Sequence, residues 1–98
     1  MAYSINLLPE AETDIEDALM WYNDINSTLR IDFLLQVREA FLSIHANPFL
    51  FQKITMDYHK LNLVRFPYKV IYTVQNEQIL IIAVAHHKRS NKHWISRK

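Results

Sequence analysis

The chain has 98 residues, half of them hydrophobic, and a net charge of +1, which is enough apolar material for one packed domain and too much for disorder. It contains no cysteine, which excludes disulfides, thiol nucleophiles and thiolate metal sites; it contains no glycine, which excludes a P-loop, a dinucleotide fingerprint and a GxSxG nucleophile elbow. The opening MAYSINLLPEAETD lacks the basic region and apolar run of a signal peptide, and the longest apolar run, Ile79 to Ala85, is too short to span a membrane. The expectation is a cytoplasmic protein with no membrane partner.

Tyr3 to Leu8 reads as a first strand, with Tyr3, Ile5 and Leu7 on one face. Pro9 suits the first turn of a helix, where its missing N–H costs nothing, and Glu10, Glu12 and Asp14 favour the positive end of the helix dipole. With Ile15, Ala18, Leu19 and Tyr22 as its apolar stripe, the first helix is predicted over Pro9 to Tyr22. Asp14, Glu16 and Asp17 read as its wet face and not as paired catalytic carboxylates. Asn23 to Ser27 reads as a turn, with Asn26 or Ser27 capping a second helix that carries Phe33, Leu34, Val37, Ala40, Phe41 and Ile44 and ends before Asn47-Pro48.

Residues 47–57 look like a loop but hold Phe49, Leu50, Phe51, Ile54 and Met56. They are expected to pack over the sheet edge or helix ends, or else to meet a partner. Strands follow at Tyr58 to Phe66, Tyr68 to Val74 and Ile79 to Ala85, with Pro67 marking a bend. The last is a continuous apolar run, as in a central strand buried on both faces, and the short link Gln75 to Gln78 pairs the last two as an antiparallel hairpin. The sum is an α+β fold, β-α-α-β-β-β, in which a helical hairpin covers one face of a mainly antiparallel sheet and the other face stays partly open. One domain spans residues 1–98, with residues 88–98 as a basic tail anchored by Trp94.

The small net charge hides a split. Residues 1–39 hold eight acidic and two basic side chains, a balance of −6, while residues 40–98 hold nine basic and two acidic, a balance of +7. Such asymmetry points to an anionic partner or to a solvated tail. Lys60, Arg65, Lys69, His86, His87, Lys88, Arg89, Lys92, His93 and Arg97 all belong to the last strands and the tail. Arg65, Lys69 and Arg89 are expected to gather at one sheet edge as a single cationic platform. Arg forks and Lys point charges hold phosphate, and His can move a proton near neutral pH, so metal-free RNA cleavage is chemically possible. Solvated edge charges are the plainer reading of Lys60 and Lys69. His86 and His87 point in opposite directions if the strand continues, so one of them is structural. Trp94 docks either into the domain itself or against a base or partner. The histidines lack metal-ligand spacing, and no metal or cofactor is expected.

PEAETDIEDALMWY, FLLQVREAFLSIHANP, LVRFPYKVIYTV and ILIIAVAHHKR with a downstream Trp occur in an order that resembles the RelE/ParE toxin superfamily and its plasmid-stabilisation relatives, over nearly the whole chain. The resemblance implies the toxin of a bacterial type II toxin–antitoxin pair, with a cognate antitoxin covering it in a hetero-oligomer. RelE-like members cut messenger RNA in the ribosomal A site; ParE-like members inhibit DNA gyrase. By position, Arg65, Lys69 and Arg89 resemble the family's basic residues, and Lys60 a lysine on the earlier strand. His87 and His93 join them as catalytic candidates, with Lys60, His86, Lys88, Lys92 and Trp94 as RNA or partner contacts. Trp21, Phe49 and Phe51 are the antitoxin-contact candidates. The family's late catalytic tyrosine has no counterpart, His93 and Trp94 lying nearby instead, which tilts the expectation to gyrase inhibition over the ribosome-dependent nuclease. An inert or regulatory antitoxin-binding module is the remaining reading.

Overall fold

The computed structural model describes residues 3–90 and 92–97. The elements are β1 (Ser4–Leu7), α1 (Pro9–Ile25), α2 (Ser27–Ala46), β2 (Tyr58–Asn62), β3 (Tyr68–Gln75), β4 (Gln78–His86) and a short α3 (Lys92–Ile95). The sheet order is β1-β4-β3-β2. β1 runs parallel to β4, and the β2/β3 and β3/β4 pairs are antiparallel.

The α-hairpin is tighter than its sequence suggests. α1 runs on to Ile25, and Asn26 alone makes the turn, with an extended backbone at φ −167°. Its N–H donates to the Tyr22 carbonyl at 2.9 Å and its Oδ1 accepts the Thr28 N–H at 2.8 Å. One side chain thus starts α2 while its own backbone ends α1, so the longer polar turn expected over Asn23 to Ser27 is not needed. The buried residues of α1 are Ala11 and Ala18, small enough to bring it close to α2 and the sheet.

β4 lies inside the sheet, and Ile79 and Ile81 through Ala85 are buried. The β3/β4 register shifts between Ile71 and Tyr72, which pair with Ala83 and Ile81 and leave Ile82 as the extra residue. This bulge breaks the two-residue alternation, so Ile82 and the adjacent Ala83 join one core cluster while Ile81 and Val84 join the other. The larger core lies between the sheet and the two long helices. The smaller lies on the opposite face, where Trp94 packs with Tyr58, Ile71, Ile82, Ala83 and Ala85. That second face was expected to stay partly open; α3 covers part of it, because Trp94 is fully buried and sits edge-on to Tyr58 at 5.2 Å. The Trp94 indole N–H has no acceptor among the described residues.

The strand predicted over Tyr58 to Phe66 ends at Asn62. Leu63 N–H donates to the Tyr68 carbonyl at 2.9 Å, closing a connection that ends in the Pro67 bend. The apolar segment before β2 folds back along the sheet edge. Lys60 N–H donates to the Gln52 carbonyl and Ile54 N–H to the Tyr58 carbonyl, both at 2.9 Å, with a bridge between Lys53 and His59. An N–H and a carbonyl on the outer edge of β2 are thereby satisfied within the chain. Phe51 packs on the main core, whereas Phe49, Leu50 and Met56 remain exposed. The β3–β4 link places Asn76 at φ 57°, a left-handed position that Asn tolerates better than most residues in a chain without glycine.

Candidate functional site

The cationic positions are set by the ends of β2, β3 and β4. The chain leaves β4 at His86 and turns back, with Arg89 N–H donating to the His86 carbonyl at 2.9 Å and His87 N–H to the Pro67 carbonyl at 2.8 Å. The connection carrying Arg65, the start of β3 at Lys69 and this turn therefore share one end of the sheet.

Their side chains do not share a face, so the expected single platform is corrected. Arg65 reaches α2 and pairs with Asp32 at 3.5 Å. Lys69 alternates to the opposite face of the sheet, the one bearing Trp94, and its Nζ donates to the Arg89 carbonyl at 3.3 Å. Lys60 has the same facing on β2. Burial pushes the Lys69 ammonium below its ordinary pKa, and the neighbouring Lys60 charge pushes it the same way. Arg89 turns to the helix side and lines a cleft with α1. Strand alternation and the exit of the chain from β4 separate groups that the sequence order had seemed to unite.

That cleft, of about 230 Å³, lies between α1 and the end of β4. Asp14, Asp17 and Trp21 form one wall, and Tyr68, His86, Arg89 and His93 the other. Asp17 and Arg89 are exposed, and neither enters an ion pair among the described residues. Burial raises the Tyr68 phenol above its ordinary pKa, with Arg89 pulling it down and Asp14 pushing it up. His86 stacks edge-on against Tyr68 at 5.2 Å. His86 Nδ1 accepts the Lys88 N–H at 3.1 Å, and His93 Nε2 accepts from Arg97 at 3.3 Å. Each ring therefore carries its proton on the other nitrogen.

Asp14 and Arg97 are the pair that sequence reasoning missed. The Arg97 guanidinium donates to both Asp14 oxygens, at 2.6 and 3.2 Å, and to the Ile82 carbonyl at 3.2 Å. Asp14 Oδ2 also accepts the Val84 N–H at 3.1 Å. Pairing between β1 and β4 stops at Leu7 and Ile81, so the next stretch of β4 has β3 on one side and no strand on the other. The two side chains take that strand's place, one giving a hydrogen bond and one receiving it. Asp14 is thus removed from the wet face, where Glu16 and Asp17 remain exposed. The only sequence signals were an acidic residue near the start of a helix and an arginine near the chain end, 83 positions apart.

The other candidates are placed as follows. His87 Nε2–H donates to the Tyr68 carbonyl at 3.1 Å, a contact that supports the turn. Lys88 is exposed beside it. Lys92 opens α3, and its side chain lies outside the described residues, as do positions 91 and 98 of the tail. Trp94 is buried and offers no ring to a base or a partner in this conformation. Trp21 is 65% exposed and Phe49 64%, while Phe51 is half-buried. A largely apolar groove of about 470 Å³ runs along α2, lined by Ile5, Ile15, Leu34, Phe41 and Leu42, with Arg38 and His45 also on its walls. Among the described residues, no three His, Asp or Glu side chains converge as metal ligands, and no helix is long and apolar enough to cross a membrane.

Comparison with known proteins places this geometry. The family model described as the ParE toxin of the type II toxin–antitoxin system parDE matches residues 5–91. Among solved structures, the chromosomal ParDE toxin–antitoxin system from P. aeruginosa is similar, with a TM-score of 0.76 at 16% identity over 87% of this chain and 96% of that one. A double-arginine mutant of the E. coli toxin RelE in its free state gives a TM-score of 0.66 at 18% identity over 95% and 92% of the respective chains. The same mutant in complex with an antitoxin RelBc peptide gives 0.62 at 18% identity, again over 95% and 92%. Among curated proteins, none matches the sequence.

Proposed function

Since this chain belongs to the ParE toxin family and is the toxin component of a type II toxin–antitoxin system, we propose that it arrests growth by binding and inhibiting DNA gyrase, with a cognate antitoxin holding it inactive. The observation that carries the choice of target is the dispersal of the cationic side chains. RNA cleavage through the 2′-OH needs a base, a cation and an acid around one phosphate. Here Arg65 is engaged by α2, Lys60 and Lys69 lie on the face bearing Trp94, and His87 is spent on a backbone carbonyl, which leaves Arg89, His86 and His93 in a cleft walled by Asp14 and Asp17, whose carboxylates oppose an incoming phosphate. Charges spread over several surfaces suit recognition of a large protein partner, where they steer encounter and fix orientation.

Neutralisation by an antitoxin is supported by the apolar surface left on the outside. α2 exposes Ile31, Leu34, Leu35 and Leu42 opposite its buried stripe of Phe33, Val37, Ala40 and Ile44, so it is apolar on both sides. The exposed apolar residues on the outer side of α2 can be covered by a partner, and Trp21 and Phe49 are further exposed aromatic anchors.

The deciding experiment adds purified toxin to gyrase and relaxed plasmid, and in parallel to programmed ribosomes. Supercoiling should stop, message should stay intact, and the antitoxin should restore supercoiling. Full supercoiling together with cut message would overturn the reading.

A further inference from the structure

The cleft between α1 and the end of β4 carries both signs of charge, laid out in two rows that do not pair with each other. On the α1 side stand Glu10, Asp17 and Trp21; on the other stand His86, Arg89 and His93. The stretch of about 230 Å³ beside Trp21 continues into one of about 390 Å³ beside Glu10, and Asp17 and Arg89 line both. Asp14, in the same wall, is taken by Arg97. Glu10, Asp17 and Arg89 are exposed and enter no ion pair among the described residues. Trp21, one helical turn after Asp17, is 65% exposed.

Neither a simple anion nor a simple cation suits this surface. An anion that reaches Arg89 meets Asp17, and a cation that reaches Asp17 meets Arg89. Two parallel rows of opposite sign are matched by the same two rows turned over. A two-fold axis running along the cleft does this: it lays the acidic row of one copy on the basic row of the other, and the reverse follows by symmetry. Each Arg89 then comes to Asp17 and Trp21 of the second copy. A guanidinium can fork to a carboxylate while its plane stacks on an indole, and the two targets lie one turn apart on one helix. His86, whose Nδ1 accepts the Lys88 N–H, keeps its Nε2 proton to donate to a carboxylate across the axis.

We infer that the free toxin forms a two-fold dimer closed over this cleft, with Arg89 of each copy held by Asp17 and Trp21 of the other. Tryptophan and arginine are the residues on which protein interfaces most often turn. The dimer is a state of the free toxin, because an antitoxin seated on Trp21 displaces the second copy. The exposed leucines of α2 take no part in it.

The test uses the full chain, purified free of antitoxin. Sedimentation velocity across roughly 1–200 µM should show monomer passing to dimer, with a Kd on the order of 10 µM for an interface at the small end of the stable range. The protein has two tryptophans and Trp94 is buried, so emission should shift to the blue over the same concentrations as Trp21 leaves water. This series needs no variant. Asp17→Arg or Arg89→Asp alone sets like charges against each other and should weaken the dimer about tenfold or more. Mixed in equal amounts, the two variants should associate again, since each offers the charge that the other lacks. Both positions are exposed, and circular dichroism checks that the variants fold. A wild-type chain that stays monomeric throughout, single variants that dimerise like the wild type, or a mixture of folded variants that fails to associate would each overturn the inference. The first result leaves Trp21 to the antitoxin, and the second moves the interface to another face, the leucines of α2 first.

Discussion

Asp14→Ala tests the most economical device in the fold. The substitution deletes the acceptor of two Arg97 hydrogen bonds and of the Val84 N–H. The side chains of Arg97 and Asp14 are only 12% and 16% exposed, so water replaces the lost partner poorly. Breaking a buried ion pair from one side costs about 3–5 kcal/mol, and an orphaned buried N–H about 1–3 kcal/mol. These overlap, and partial exposure lowers both, so roughly 3 kcal/mol is expected. Against a total of about 5–15 kcal/mol that is a large fraction, and for a domain of this size it corresponds to a fall in Tm of roughly 12–20 °C. Urea unfolding followed by circular dichroism measures the loss. Trp94 fluorescence in a Trp21→Phe background reports whether the C-terminal segment detaches first. Arg97→Ala closes a double-mutant cycle, whose coupling should be at least about 1.5 kcal/mol. A stability change in Asp14→Ala below about 0.5 kcal/mol, the range of an ordinary surface substitution, would refute the view that these two side chains stand in for a strand.

Two further outcomes follow from buried or crowded titrating groups. The Tyr72 phenol is fully buried, donates to the Pro48 carbonyl at 2.7 Å, and is pushed up by burial from 10.0 to about 12. The folded state therefore holds this proton more tightly than the unfolded chain does: the associated stability is complete below the unfolded pKa and is lost as pH rises from about 10 to about 12. That loss is on the order of 2–3 kcal/mol; Tyr72→Phe should remove this part of the alkaline slope in a pH series of urea melts, at a cost of about 1 kcal/mol near neutrality. For Lys69, whose pKa is held down by burial and then by Lys60, Lys60→Gln should move the value back up in an NMR titration of the lysine Cε resonances. An unchanged or lower value would place the two ammonium groups too far apart to interact.

The order of elements and the character of β4 were legible because they rest on local signals. Proline at the first helical turn, a 3.6-residue apolar stripe and a continuous apolar run each fix an element from neighbouring residues alone. The hairpin between β3 and β4 was legible for the same reason. Two boundaries were not. α1 absorbed Asn23 to Ile25 because Asn26 could end one helix and start the next, a double role that polarity in the turn does not reveal. β2 stopped at Asn62 because Leu63 turns its N–H to Tyr68, a partner known only once the strands are paired.

The cationic site divides along the same line. That the second half of the chain would be basic, and that the chain resembles the toxin superfamily, followed from residue types and their order. Which basic residues would meet did not, because facing depends on strand parity, on the bulge at Ile82 and on the exit from β4. Arg65 was drawn to Asp32, Lys69 to the face bearing Trp94, and Arg89 to the acidic side of α1. Asp14 and Arg97 lie at almost opposite ends of the chain, and nothing in either neighbourhood announces the other. Sequence alone therefore determined the elements and the helix-backed sheet, since periodicity and composition act over a few residues, and the resemblance of its motifs pointed to the family. Only the tertiary structure decided which charges are spent holding the fold and which stand free, since that depends on contacts between residues distant in the chain.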